Sequence, residues 1–384
     1  MKTLILLGAS GSIGSQTIDI IKENPSDYLL VAFSVGERAD AAERICKIFP
    51  GIQTVCFKNR KDALAFGEAH PKKRALYGDE GLLTMLQEVH CDMVVNALVG
   101  FVGLAPTIKA LELNRTVALA NKESLVVGGK LVNDLLDQGH GRLIPIDSEH
   151  VGIHKLLRKA GKKPIKKIHI TASGGALRNI PLEDLCMVTA KEALAHPTWK
   201  MGKKITIDCA TMMNKGFELI EACVLYRRPM EDFAILMHDE SQIHAALEFQ
   251  QGGYLCDVSA PDMHRPIAYA LCEGKCRYKV KKVKDLSKFK KFHFHQFEPR
   301  RYPAVGLCKK AYAMGGNAMA ILNAANEVAV EAFLAGRIRY LRIAREVEVA
   351  LQNIPYIANP TLTDLISTDR LTRGFATERM KVFR

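Results

Sequence analysis

The amino-acid sequence predicts an α/β protein whose last part is helical. Three observations support this fold class. The chain opens with a short apolar run that passes directly into a glycine-rich turn and then into a helical pattern. Further short apolar runs alternate with helical patterns, which is typical of a parallel sheet with crossover helices. From about Tyr302 onward the apolar residues keep helical spacing.

Composition sets the outer limits. A chain of 384 residues has room for two or three domains, and 48% hydrophobic with 25% charged residues is ordinary for a globular protein. The first apolar run is too short for a signal peptide, and no stretch approaches the ~18 apolar residues of a membrane span. Ten cysteines without a CxxC pair indicate free thiols. We therefore expect a cytoplasmic protein that does not bind membranes.

The net charge of +13 permits binding of nucleic acids or of anionic small molecules. The lysine-rich segment 279–291 is the best candidate for nucleic-acid contact. It has few aromatic residues for base stacking, so a solvated linker is favoured there and no nucleic-acid partner is expected.

The first strand, Thr3 to Leu7, is followed by a turn with the glycine spacing GxxGxxG from Gly8 to Gly14 and then by a helix up to Glu23. Such a turn lets backbone N–H groups approach a pyrophosphate at a helix N-terminus. The alternative is a tight turn of any α/β protein. The second strand is predicted over Tyr28 to Val35.

The residues after that second strand would select the coenzyme. An NAD site places an acid near 34–36, and none is present. Gly36-Glu37-Arg38 follows; Arg38 favours the 2′-phosphate of NADP, whereas Glu37 argues the other way.

Two further strands, Asp92 to Leu98 and Thr116 to Ala120, lead to Asn121-Lys122-Glu123-Ser124. Polar groups at strand carboxyl ends face the ligand crevice in such sheets. Lys122 is therefore a candidate for an anionic or carbonyl group of a substrate, and Asn121 and Glu123 for the cofactor. A capped helix start is the alternative.

The next apolar run, Leu143 to Ile146, stops at Asp147-Ser148-Glu149-His150. On an extended backbone, residues two apart point to the same side, so Asp147 and Glu149 would aim at one point. Paired carboxylates repel unless a cation lies between them, and hard oxygens suit Mg²⁺ or Mn²⁺. The alternative is a polar strand end that caps a helix.

The following segment contains two candidate ligand elements. A strand at Ile168 to Thr171 ends in Ser173-Gly174-Gly175, a possible anion nest, although a plain turn is equally compatible. Residues 181–201 hold His196 and the single tryptophan, Trp199, and are predicted to form a closing flap.

A strand is then predicted over Thr206 to Cys209, followed by a helix. Asn214 and Glu218 lie one turn apart on that helix in apolar surroundings, with Lys215 beside them. We predict that Glu218 is a third metal ligand and that Asn214 and Lys215 contact an anion. The alternative is a solvent-exposed helix face, which is the usual meaning of this spacing. Strands at Phe233 to Met237 and Gly253 to Val258, and helices at Met319 to Leu334 and Ile343 to Ile354, complete the pattern.

The predicted division is a Rossmann-like dinucleotide-binding domain over 1–146, a central α+β catalytic domain over 147–275, a linker over 276–300 and an α-helical domain over 301–384.

Taken together, these motifs resemble the 1-deoxy-D-xylulose-5-phosphate reductoisomerase family in order and over nearly the whole chain. The matching segments are Gly8–Gly14, Leu119–Leu125, Pro145–His150, Thr171–Gly175, His196–Gly202, Asp208–Glu218 and Leu322–Glu327. The resemblance implies isomerisation of a straight-chain sugar phosphate to a branched one and reduction of the resulting aldehyde by NADPH, giving 2-C-methyl-D-erythritol 4-phosphate in mevalonate-independent isoprenoid synthesis. It also implies a divalent cation (Mg²⁺, Mn²⁺ or Co²⁺) and a homodimer.

The resemblance assigns roles by position. It implies metal ligation by Asp147, Glu149 and Glu218. It implies substrate contacts from Lys122, Ser148, Glu149, Ser173, His196, Trp199, Cys209, Asn214, Lys215 and Glu218, with Lys122 and His196 counted as catalytic beside the metal ligands. It implies an NADPH site lined by Ser10, Gly11, Ser12, Ile13, Gly36, Glu37, Arg38, Asn121, Glu123 and Gly202.

Two positions depart from the family pattern. Cys209 stands where serine usually contacts the phosphate, and a thiol is a weak donor. Glu37 stands where other members can have lysine, so the contact of this turn with the 2′-phosphate is weaker than the family pattern implies.

Two rival interpretations remain: a different NADP-dependent dehydrogenase, which would not need the three acids together, and a basic nucleic-acid-binding protein.

Overall fold

The computed structural model describes residues 1–275 and 291–381, and these form two compact units. The first unit comprises residues 1–124, 130–147 and 262–275. The second comprises residues 125–129, 148–261 and 291–381. The lysine-rich segment 279–291 lies outside the described residues except for its last residue, so its predicted role is not addressed by the structure.

The first unit is built on a seven-stranded sheet in which every neighbouring pair is parallel. Its strands are β1 (Lys2–Leu7), β2 (Tyr28–Val35), β3 (Thr54–Phe57), β4 (Arg74–Tyr77), β5 (Met93–Asn96), β6 (Thr116–Leu119) and β7 (Arg142–Pro145), in the order β4-β3-β2-β1-β5-β6-β7. The chain winds outward from β1 and then resumes on the other side at β5. Such a reversal of direction leaves a ligand crevice at the carboxyl ends of β1 and β5.

Helices cover this sheet because strands buried on both faces need an apolar layer on each side. They are α1 (Ser12–Glu23), α2 (Asp40–Ile48), α3 (Arg60–Ala69), α4 (Gly78–Glu88), α5 (Leu104–Glu112), α6 (Lys122–Asp137) and, in chain order, α11 (His264–Leu271). Sequence grouping placed α11 with the segment 147–275. Its residues Ile267, Ala268, Ala270 and Leu271 instead belong to the core of the first unit.

The second unit contains a five-stranded mixed sheet in the order β11-β10-β8-β9-β12. Its strands are β8 (Ile165–Ala172), β9 (Phe233–His238), β10 (Ile243–Phe249), β11 (Tyr254–Val258) and β12 (Phe294–Gln296). Strands β8 and β9 are parallel, and the other pairs are antiparallel. Two helices share a core with this sheet, α7 (Ser148–Ala160) and α10 (Met213–Tyr226). They carry predicted metal ligands at Glu149 and Glu218.

The remaining helices of the second unit pack on α10 or on one another. They are α8 (Ala190–Ala193), α9 (Lys203–Thr211), α12 (Pro303–Met314), α13 (Ala318–Leu334), α14 (Arg342–Asn353) and α15 (Leu362–Lys381). Ile207 and Ala210 of α9 share a core with Val330 and Phe333 of α13. Helix α13 therefore packs against α9 through a shared apolar core.

The predicted α/β class and the helical C-terminal region are confirmed, but the predicted strand at Thr206 to Cys209 and the expectation of free thiols throughout are wrong. Thr206 to Cys209 is not a strand, because these residues lie within α9. The Lys204–Asp208 ion pair, 2.9 Å and four residues apart, and the Thr206 hydroxyl bond to the Gly202 carbonyl both stabilise the helical form over the β preference of Thr-Ile-Thr. Among the residues that the structure describes, eight cysteines are free as expected, but Cys272 is disulfide-bonded. Within the described residues, no helix combines the length and apolarity that crossing a membrane requires.

Candidate active site

The glycine-rich turn between β1 and α1 is shaped by close backbone contacts. Gly8 has φ +83°, and a Cβ there would lie 2.5 Å from the carbonyl oxygen of Ala97. A Cβ at Gly14 would lie 2.3 Å from the carbonyl oxygen of Gly8. Both positions therefore require glycine, and the turn holds the start of α1 close to the carboxyl end of β1. Ser10, Gly11, Ser12 and Ile13 lie in this turn and in the first residues of α1, and the N–H groups at the start of a helix suit a pyrophosphate.

The turn is tied to the end of β2. The backbone N–H of Gly8 donates to the Ser34 hydroxyl at 2.9 Å, and that of Gly36 donates to the Ser10 hydroxyl at 3.2 Å. Glu37 and Arg38 follow and are exposed. The carboxylate of Glu37 forms an ion pair with Lys58, the first residue after β3. The predicted ribose corner thus contains one acid and more than one cation.

Asn121 caps helix α6 and also holds the loop that follows β5. Its Oδ1 accepts from the backbone N–H of Ser124 at 3.0 Å, and its Nδ2 donates to the carbonyl oxygens of Leu98 and Gly100 at 3.0 and 2.9 Å. Glu123 accepts from the same Nδ2 at 3.2 Å. The capped helix start weighed as the alternative is therefore present, while the cofactor role of both residues remains a prediction.

The three predicted metal ligands converge. Asp147, Glu149 and Glu218 each offer an oxygen atom, and the three oxygens lie within 4.8 Å of one another. The geometric reason given by the sequence is wrong, since Glu149 is not on an extended backbone. Asp147 follows the end of β7, and Glu149 lies in the first turn of α7. Because they are separated by one residue, the local backbone alone sets their proximity, and α10 supplies Glu218.

Two ammonium groups offset part of the negative charge of these three carboxylates. Lys122 Nζ lies 2.7 Å from Asp147 Oδ2, and both side chains are largely buried. Lys215 donates to Glu218 and lies 3.5 Å from Glu149 Oε1. Asn214 Nδ2 also donates to Glu218, and Ser148 donates to Glu149. Three buried or half-buried acids held together in this way form a site of hard oxygen donors, the set that Mg²⁺ and Mn²⁺ prefer.

His196 is oriented by backbone groups of its own segment. Its Nδ1 accepts from the backbone N–H groups of Thr198 and Trp199 at 3.2 and 3.0 Å. Its Nε2 lies 3.2 Å from the Ser173 hydroxyl. Burial, aided by the charge of Arg178, lowers the pKa of His196 to about 4. The ring is therefore neutral near pH 7, and with Nδ1 accepting, its proton lies on Nε2.

Cys209 lies near the end of α9, one sharp turn before Asn214 and Lys215. Met212 separates the two helices in a left-handed conformation with φ +60°. Gly175 packs against this turn, because a Cβ there would lie 2.6 Å from the carbonyl oxygen of Cys209. The Ser173 loop and the α9–α10 turn are thus neighbours. Gly202, another predicted cofactor residue, is the N-cap of α9.

Most of this chain matches models of one protein family. Family models described as 1-deoxy-D-xylulose 5-phosphate reductoisomerase, its C-terminal domain, and the DXP reductoisomerase C-terminal domain match residues 4–129, 143–226 and 258–375. A 1-deoxy-D-xylulose 5-phosphate reductoisomerase 2 of Bacillus thuringiensis subsp. konkukian is 41% identical, over 99% of this chain and 100% of its own. The chain belongs to the 1-deoxy-D-xylulose 5-phosphate reductoisomerase family.

Other members of the reductoisomerase family are similar to this chain in sequence and in structure. The Geobacillus kaustophilus enzyme is 42% identical over 98% of both chains. A crystal structure of DOX-P reductoisomerase in complex with NADPH, fosmidomycin and magnesium has a TM-score of 0.92 at 32% identity, covering 100% of this chain and 99% of that one. The Zymomonas mobilis reductoisomerase in complex with NADPH has a TM-score of 0.88 at 35% identity, covering 99% of each chain.

Two polar residues of this reductoisomerase, Ser241 and His244, lie next to residues 198 and 199 and were not predicted from the sequence. The Thr198 hydroxyl lies 3.2 Å from that of Ser241, which has a positive φ of 51°. The ring of Trp199 lies 6.3 Å from that of His244, whose pKa burial lowers to about 4. Ser241 precedes β10, and His244 is the second residue of that strand. The sequence analysis did not predict β10. The polar cluster before that strand was the available signal.

Proposed function

We propose that this chain converts 1-deoxy-D-xylulose 5-phosphate into 2-C-methyl-D-erythritol 4-phosphate, breaking and remaking one carbon–carbon bond before an NADPH-dependent reduction. The convergence of Asp147, Glu149 and Glu218 within 4.8 Å, in a chain of this family, is the observation that carries the proposal. The reaction belongs to isoprenoid synthesis by the mevalonate-independent route.

Asp147, Glu149 and Glu218 would hold the divalent cation, since three carboxylates so close need more positive charge than the two neighbouring ammonium groups, Lys122 and Lys215, supply. A cation held there would supply Lewis-acid chemistry, polarising a ketone oxygen and offsetting the negative charge that carbon–carbon cleavage creates. Lys122 adds a fixed positive charge on the Asp147 side.

The substrate contacts divide into two groups. Lys122, Ser148 and His196 would bind the hydroxyl and carbonyl oxygens of the sugar. The neutral imidazole of His196 would serve as a hydrogen-bond donor through Nε2, because its Nδ1 already accepts two backbone N–H groups. The phosphate would be held by Ser173, Cys209, Asn214 and Lys215. Trp199 would help to exclude water during the reaction.

The NADPH site would lie at the carboxyl ends of β1 and β2. The turn from Gly8 to Gly14 would take the pyrophosphate, and the close backbone approaches at Gly8 and Gly14 fit that role. Gly36, Glu37 and Arg38 would meet the adenosine ribose. Asn121, Glu123 and Gly202 would complete the lining. NADPH supplies the hydride when bound, and the protein supplies orientation.

The proposal includes a cytoplasmic homodimer, as the family resemblance implies. It is tested by following NADPH oxidation with 1-deoxy-D-xylulose 5-phosphate, with and without added Mg²⁺ or Mn²⁺. Turnover only with the added cation supports the proposal, whereas undiminished turnover after exhaustive chelation would favour another NADP-dependent dehydrogenase. Sedimentation velocity tests the dimer separately.

A further inference from the structure

Lys58 and Glu37 lie just after the carboxyl ends of β3 and β2. At this end of the sheet, a dinucleotide-binding fold distinguishes NADP from NAD. Strands β2 and β3 are paired in parallel up to the partners Val35 and Phe57. Glu37 is the second residue after Val35, and Lys58 is the first after Phe57. Their side chains meet across this edge as an ion pair. The edge is also tied to the glycine-rich turn through the Gly36–Ser10 hydrogen bond.

An acid at this corner normally opposes NADPH. Carboxylates after the second strand accept from the ribose 2′-hydroxyl of NAD, and they repel the 2′-phosphate of NADP. That phosphate monoester carries about 1.5 to 2 negative charges at neutral pH. Glu37 alone would therefore favour NADH. Its position is hard to reconcile with an NADPH-dependent enzyme unless a cation offsets it.

We propose that Lys58 determines coenzyme specificity in this chain by neutralising Glu37 and binding the 2′-phosphate of NADPH. Lys58 is 63% exposed and Glu37 77% exposed at the side chain, so their ion pair is weak and opens readily. An ammonium group on a flexible four-carbon chain can then turn from the carboxylate to the phosphate. Arg38 supplies a second cation at the same corner. This inference rests on the proposed NADPH-dependent function.

The test compares direct binding of NADPH and NADH to the full chain by fluorescence titration, without substrate or turnover. In Lys58→Met, we expect the Kd for NADPH to rise roughly tenfold, the scale of one charge-assisted contact. The Kd for NADH should stay within about twofold. The double variant Lys58→Met/Glu37→Gln should recover part of the NADPH affinity, because the uncompensated carboxylate is gone.

Lys130→Met is the matched control. Lys130 is 73% exposed and paired with Asp134 at 2.8 Å, so this change removes the same charge from a similar surface pair on α6. Its ratio of NADPH to NADH affinity should equal that of the unmodified protein. Equal changes for both coenzymes in Lys58→Met, or the same ratio in Lys58→Met as in Lys130→Met, would overturn the role of Lys58 while leaving the proposed function intact. Failure of the unmodified chain to bind NADPH would overturn both.

Discussion

Glu218→Gln tests the metal site most directly. Glu218 is 1% exposed and accepts from both Asn214 and Lys215. The substitution keeps the shape of the side chain but removes the charge of one of the three proposed anionic ligands. We expect kcat to fall by at least about 10³-fold, equivalent to about 4 kcal/mol in activation free energy. Affinity for NADPH should be unchanged, because the coenzyme residues lie on other elements.

The same substitution will also cost stability. Lys215, itself buried, keeps Glu149 at 3.5 Å but loses its charged partner on α10. Breaking a buried ion pair costs up to about 3–5 kcal/mol, and the remaining carboxylate should hold the cost toward the lower end. Loss of turnover must therefore be separated from partial unfolding.

Glu346→Gln provides that separation. Glu346 is fully buried at the side chain and paired with Arg342 and Arg379 among the C-terminal helices, each at 2.8 Å. Its substitution should lower the melting temperature similarly and leave kcat near normal. Titration with Mn²⁺, followed by calorimetry, should show weaker binding only in Glu218→Gln. A normal kcat in Glu218→Gln at saturating Mg²⁺ would refute the assignment of this side chain as a ligand.

Three further outcomes are expected. Cys209→Ser should bind the sugar phosphate equally or more tightly, measured as KM, because a hydroxyl is the better donor; a large rise in KM would reveal a role for the thiol. The imidazole of His196 should titrate near pH 4 by NMR, so that its contribution to stability, full above about pH 6.5, declines as the pH falls toward 4; a midpoint near 6.5 would contradict the burial argument. Gly14→Ala should weaken NADPH binding by about 1–3 kcal/mol, since its Cβ would lie 2.3 Å from the Gly8 carbonyl oxygen; unchanged affinity would exclude this turn from the coenzyme site.

Local pattern predicted the parts of the fold that local chemistry determines. The strand β2 (Tyr28–Val35) has the predicted bounds, and the glycine turn takes the predicted place, because buried apolar runs and backbone contacts are visible in sequence. Helix α15 was not predicted. Its buried face includes Thr368, Asp369 and Thr372, so polar residues carry packing that apolar periodicity would otherwise reveal.

The candidate site was predicted in part for the wrong reason. The sequence identified Asp147, Glu149 and Glu218, but it assumed a strand where the chain bends into a helix after Asp147. The ion pair of Lys122 with Asp147 and that of Glu37 with Lys58 join residues 25 and 21 positions apart. Such contacts depend on strand order in the sheet, which a single sequence does not specify.

The engagement of Lys122 and Lys215 with the three acids has a consequence for the order of ligand binding. A divalent ion must compete with these ammonium groups for the same oxygens, and each one it displaces becomes available to an anionic sugar. Cation and phosphorylated sugar should therefore strengthen each other's binding by the same factor, as thermodynamic linkage requires. Without ligands, the two ammonium groups stay engaged with the three carboxylates, and neither the cation nor the sugar phosphate alone fully releases them.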